Sequence, residues 1–243
     1  LQNSKRRKNV TEAEFNRQLA LRNKLDSDFE ARFKKGHRNV RAYDEMFDSA
    51  VNLMKSKDLE AFDLSKESPE ALALYGEDKF AKGVLLARRL VQHGARFVEV
   101  QYGGFDWHSD NFTKAEEKLP VLDRAYAALM HDLEVTGMIK DTMVVIATEF
   151  GRTPKIDSDA GRNHFPKAFS FVLAGAGIKG GTVYGETDET ASNVITKKTS
   201  PADFNATIAS AMGFKHDETL MSPSKRPFRM GGEDGKPIKE VLA

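Results

Sequence analysis

The spacing of apolar and polar positions changes character near the middle of the chain. Before Gly94 it is helical. Thr11 with Glu14 makes a capping box and Val10 is placed to pack on Phe15, so a helix is predicted to start there. Its stripe is Phe15, Leu19, Leu21, Leu25 and Phe29, with charge on the other side. A second amphipathic helix is predicted after Asn39, with Tyr43, Met46, Phe47, Ala50 and Met54 on one side. LSKESPEALALYGE reads as irregular and polar, ending in a turn at Gly76; a further helix, Lys79 to Gln92, stops near Gly94, a left-handed C-cap.

Beyond Gly94 the pattern shortens. Arg96 to Tyr102 reads as a strand closed by Gly103 and Gly104. A long helix follows, from about Lys114 to Thr136, with Leu119, Leu122, Ala125, Leu129 and Leu133 inside and Gly137 as its stop. Thr142 to Thr148 reads as a second strand, its run Met143, Val144, Val145, Ile146 too continuously apolar for a sheet with one wet face. Strand, helix and strand make a βαβ unit, which predicts parallel strands, a right-handed crossover and a shared carboxyl edge. Phe169 to Leu173 is a third predicted strand running into AGAGIKGG, read as a tight turn, and Thr182 to Tyr184 a short fourth. Ser200 caps a last helix with Pro201 in its first turn and Gly213 after its end. From His216 on, Pro, Gly, Ser and Lys predict a surface-hugging tail. The expected organisation is a helical segment, residues 1–78, packing on an α/β domain, residues 79–243.

Composition narrows the partners more than the fold. The chain has 243 residues, 40% hydrophobic and 30% charged, an ordinary soluble balance. With 37 Lys and Arg against 36 Asp and Glu, no overall charge calls for nucleic acid or an anionic membrane; Lys5 to Lys8 read as a solvated tail. No apolar run approaches the roughly 20 residues that span a bilayer, so no integral membrane segment is expected. The absence of cysteine excludes disulfides and thiolate metal sites and suits an exported or a cytosolic protein equally. The chain opens on Leu1 and LQNSKRRKNV lacks the apolar core of a signal peptide, so its natural start is expected upstream. Oligomeric state is left open.

The chemistry gathers where the predicted strands end. Ligands of parallel α/β sheets bind beyond the carboxyl ends of strands. GGFDWHSDN puts Asp106, His108 and Asp110 past the first strand, TEFGRTP puts Glu149 and Arg152 past the second, and DAGRNHFP brings Arg162, Asn163 and His164 before the third. Carboxylate and imidazole without thiolate suit Zn, Mn or Fe, and the arginines suit an oxyanion. Each motif alone has a plainer reading: Asp106 and His108 as turn residues, Glu149 with Arg152 as an ion pair closing the strand, His164 as a loop histidine. Their coincidence at one edge favours a site. His37, His93, His131 and His216 read as structural or surface residues.

LLARRLVQHGARFVEVQYGGFDWHSDNF, ATEFGRTPKI and GRNHFPKAFSFVLAGAGIKGGTVYGETDE resemble a bacterial family, domain of unknown function 1501, of sulfatase-like proteins in the alkaline phosphatase superfamily. The resemblance runs from about Tyr43 to Gly213. It implies a three-layer α/β/α fold with a mostly parallel sheet, of which this chain is expected to carry the C-terminal part and lack the N-terminal half. It also implies a metal-assisted hydrolytic ancestry on phosphate or sulfate esters. Asp106, His108 and His164 resemble the superfamily's metal ligands, with Glu149 a ligand or general base and Arg152 an oxyanion clamp. Phe150 stands where a second metal histidine would be, which argues against a two-metal cluster. The nucleophile has no counterpart in this chain.

The resulting expectation is an exported, periplasmic or extracellular, metal-dependent hydrolase-like protein using a divalent metal (Zn, Mn or Fe) on a small-molecule or glycan ester. Its rivals are an inert binding or surface-assembly protein on the same fold and a cytoplasmic mutase-like enzyme.

Overall fold

The computed structural model describes residues 5–33 and 38–243, and of residues 30–33 and 38–41 the backbone alone. His37 and the side chain of Asn39 lie outside the described residues. The chain divides into two compact units, one of Leu1–Ala73 with Leu85–Val100, the other of Leu74–Val84 with Gln101–Ala243.

The first unit is helical. In the predicted capping box, Thr11 N–H donates to Glu14 Oε2 at 2.9 Å and Glu14 N–H to Thr11 Oγ1 at 3.2 Å, opening α1 (Glu12–Phe33). Helix α2 is Arg38–Lys55. The apolar stripes of both helices stay largely exposed, including Leu21, Leu25, Tyr43 and Met46. Arg22 joins the two instead: it pairs with Asp44 at 2.6 Å and Asp48 at 2.9 Å, and its guanidinium lies 4.0 Å from the Phe47 ring centroid. The segment expected to be irregular contains 3-10 turns at Lys57–Phe62 and Leu64–Lys66, then α3 (Pro69–Tyr75). Helix α4 (Lys79–Gln92) is divided between the two units; its part from Leu85 on, in this one, buries Arg88 and Arg89, and both grip Glu67. Arg89 Nε also donates to Ala61 O at 2.7 Å, so a charged cluster forms part of this unit's interior with every formal charge compensated or bonded.

The second unit is built on α5 (Asn111–Val135), which buries Ala125, Ala128 and Leu133 and leaves Leu119 exposed. Buried Tyr75 donates its hydroxyl to Asp132 at 3.1 Å. The strands are short: β1 (Met143–Ile146), β2 (Gly151–Arg152), β3 (His164–Phe165), β4 (Val172–Gly175), β5 (Glu186–Thr187), β6 (Val194–Thr196), β7 (Thr219–Met221) and β8 (Pro227–Arg229). They pair as β1 with β4, β2 with β3, β5 with β6 and β7 with β8, all antiparallel. Helix α6 (Pro201–Ala211) carries a full capping box of Ser200 and Asp203 and buries Phe204, Ala206, Thr207 and Ala209.

This overturns the expected three-layer α/β/α fold with a mostly parallel sheet. Residues 96–102 form no strand, so the βαβ unit does not exist among the described residues. The partner of β1 is β4, in the register Met143↔Gly175 to Ile146↔Val172. Gly175, at φ 85°, closes the pair against Thr142, whose carbonyl accepts from Ala176 N–H at 3.0 Å. Val145 and Val172 remain exposed, so the continuous apolar run does not mark a strand covered on both faces. A short apolar run does not by itself distinguish a parallel core strand from a two-stranded antiparallel pair. The predicted third strand starts late, at Val172, and Thr182–Tyr184 forms none. The expected tail holds the β7–β8 hairpin.

Candidate metal centre

Two loops and one two-residue ladder build the site. Gly104, at φ 82°, turns the chain out of residues 96–103, and Trp107 Nε1 donates back to Gly104 O at 2.7 Å. This holds Asp106 and His108 at the tip of the loop before α5. The loop is fastened to residues 157–162 through main-chain bonds: Asp110 N–H to Asp159 O at 3.0 Å and Asn111 N–H to Ala160 O at 2.9 Å. Gly161 lies so close to His108 that a Cβ there would collide with the His108 backbone. Glycine is required by close approach here, and the result is that residue 164 arrives beside residue 106.

The β2–β3 ladder orients the remaining side chains. Its register sets Gly151 opposite Phe165 and Arg152 opposite His164. Directly opposed residues share a face, so Arg152 and His164 project together. By the same alternation Phe150 falls on that face, and its ring centroid lies 4.4 Å from that of His164. Glu149 has the opposite parity. It is exposed and makes no hydrogen bond or ion pair among the described residues.

Asp106 is the hub. Its Oδ1 accepts from Arg152 Nη2 and, at 2.9 Å, from His164 Nε2, while His108 Nδ1 stands 3.4 Å away. A carboxylate only accepts, so His164 carries its proton on Nε2 here. Arg152 is anchored twice more, Nη2 to Phe105 O at 3.2 Å and Nη1 to Arg162 O at 3.1 Å. The Arg152 hydrogen bond first, then that of His164, lower the Asp106 carboxyl from its ordinary value to about 2. The expected pair of Glu149 with Arg152 does not form; Asp106 takes the guanidinium, because the ladder register turns Arg152 toward it.

The donor atoms of Asp106, His108 and His164 all lie within 4.8 Å of one another. One carboxylate and two imidazoles fit a divalent first-row ion with coordination positions left open. The cluster is open to solvent, with side-chain exposures of 66% for Asp106 and 50% for each histidine, against 22% for Arg152. Arg162, expected beside the arginine clamp, serves the loop: Nη1 donates to Thr153 O at 3.3 Å, and its Nε is buried without a partner. Sequence reasoning missed Gly161 and the two carbonyls that anchor Arg152. Only the glycine leaves a trace in the sequence, as the small residue of DAGRNHFP.

The site thus defines a class, a carboxylate and two histidines with an arginine lodged among them. Residues 1–242 match the family described as Protein of unknown function (DUF1501), and the chain belongs to that family. No curated protein and no solved structure matches the chain. No helix among the described residues is long and apolar enough to cross a membrane.

Proposed function

We propose that Asp106, His108 and His164 hold one divalent metal ion and that the protein is hydrolase-like, directed at phosphate or sulfate esters. The observation that carries this reading is the convergence of those three donors, from positions 106, 108 and 164, within 4.8 Å. A bound ion supplies Lewis acidity and an activated water at neutral pH. Arg152 supplies N–H donors fixed by two carbonyls beside the cluster, suited to orienting an oxyanion. Phe150 packs on the His164 ring and limits its rotation. The likeness of the EFGRTP and GRNHFP segments to sulfatase-like proteins supports the ester class, and residence in the periplasm or outside the cell belongs to the same proposal.

The test is a zinc and manganese titration by calorimetry after chelator dialysis, with hydrolysis of nitrophenyl phosphate and sulfate measured in parallel. One ion per chain is expected, lost in His164→Ala. Hydrolysis indifferent to chelator and to His164→Ala would put the chemistry elsewhere. A second reading, an inert binding or surface-assembly protein, is favoured by the exposure of the donors and by Phe150 covering one face of His164. Stoichiometric metal without ester turnover would decide for it.

A further inference from the structure

Three features of Arg152 bear on how such a site would load. It occupies Asp106 Oδ1, the one oxygen that also meets both histidines. Its two other bonds go to main-chain carbonyls, Phe105 O and Arg162 O, from separate segments. Its side chain is far less exposed than the carboxylate it holds. A guanidinium presents five N–H donors in a rigid fork, so loss of one acceptor need not release the others.

We propose that Arg152 is an internal competitor for the cation: it occupies Asp106 Oδ1 in the metal-free protein and surrenders it on loading, while Phe105 O and Arg162 O keep it in place. The consequence is an order of events. Arg152 neutralises Asp106 until the ion arrives, and the freed N–H on Nη2 then faces the cluster, available to an oxyanion only afterwards. Before loading, that donor is engaged and an anion meets the Asp106 carboxylate. Metal and anion binding are thereby coupled through one side chain. The competition weakens the ion, because loading must break a charge-assisted bond and bring a second cation beside the guanidinium.

This inference rests on the metal reading above, and the experiment separates the two. Zinc is titrated into the full chain, wild type and Arg152→Met, with circular dichroism confirming the fold. Removing the competitor should tighten zinc by roughly fivefold, the size expected for a solvent-exposed charge pair. A folded Arg152→Met that binds zinc equally or more weakly overturns the inference and leaves the metal site intact. Absence of zinc binding in both proteins overturns the metal reading and the inference with it. Because Arg152→Met also removes anchors to two segments, a second measurement uses wild type alone: the Arg152 guanidinium resonances by nitrogen-15 NMR, assigned by their absence in Arg152→Lys. They should shift on zinc saturation while the Nη1 proton bonded to Arg162 O stays protected from exchange. Resonances unmoved by saturating zinc overturn the proposal.

Discussion

Asp106, exposed, and Asp188, half-buried, are both carboxylates drawn down to about 2, and the means are opposite. Asp188 is held by its own loop. Its carboxylate accepts from Asn193 Nδ2 at 2.9 Å, Ser192 N–H at 2.7 Å and Thr190 Oγ1 at 3.0 Å, all uncharged donors within the β5–β6 connection. Asp106 is held by Arg152 and His164, 46 and 58 positions away. A local latch organises the turn it sits in, and nothing further is needed to account for it. A carboxylate that gathers a guanidinium and an imidazole from two distant segments, beside the imidazole of its own loop, organises a place. A similar depression of acidity therefore has two meanings, and the sequence distance and charge of the donors separate them.

The largest effect that would break the comparison is on metal. Asp106→Asn should weaken zinc binding by roughly a hundredfold or more, since a charged ligand is lost and its replacement cannot accept on both atoms. Asp188→Asn should leave zinc binding within about twofold, because no candidate ligand touches its loop. Equal losses in the two titrations would make Asp106 another structural latch.

A smaller effect tests how the distant segments are brought together. Gly161→Ala drives a methyl into the His108 backbone and should cost about 1–3 kcal/mol, with a melting temperature lowered by several degrees. Zinc affinity should fall with it, because the displaced loop carries His164 away. Gly180→Ala, where a Cβ meets nothing within 4 Å, is the control and should change stability by less than about 0.5 kcal/mol. An unchanged melting curve and zinc affinity for Gly161→Ala would mean that the two loops are not fastened at this point.

The same contrast between local and distant governs how much was legible in the sequence. Features completed within a few residues were readable: the boxes at Thr11 and Ser200, and the left-handed glycines 94, 137 and 213. Helix α3, in the segment expected to be irregular, has a local signal as well: Ser68 Oγ accepts from Ala71 N–H at 3.1 Å just ahead of Pro69, an ordinary N-terminal cap. Strand partners were not legible. Residues 96–102 and 143–146 each look like half of a parallel pair, but pairing depends on what the chain elsewhere offers, and β4 offered the better match. At the site, residue types identified Asp106, His108, His164 and Arg152 as chemistry-bearing. The partner of Arg152 did not follow from its neighbour Glu149, because it depends on the opposition of Arg152 and His164 across a two-residue ladder.

The smallest and sharpest test is the acid titration of the two carboxylates. Both are depressed in the folded protein, so each contributes stability that is fully present above the ordinary aspartate value of about 4 and is lost as pH falls toward 2. Carbon-13 NMR of the two carboxyl groups should therefore place both midpoints near 2 in wild type. In Arg152→Met the Asp106 midpoint should move up toward the ordinary range, since the first cause of its depression is gone, while that of Asp188 stays. In Asn193→Ala the pattern should reverse. The donors differ in kind as well as distance, so salt gives a third arm: the Asp106 midpoint should rise with ionic strength as its cationic partner is screened, and the Asp188 midpoint, held by uncharged donors, should respond far less. Two midpoints that move together under either substitution or under salt would mean that the carboxylates answer to the overall charge of the protein and not to the partners named here.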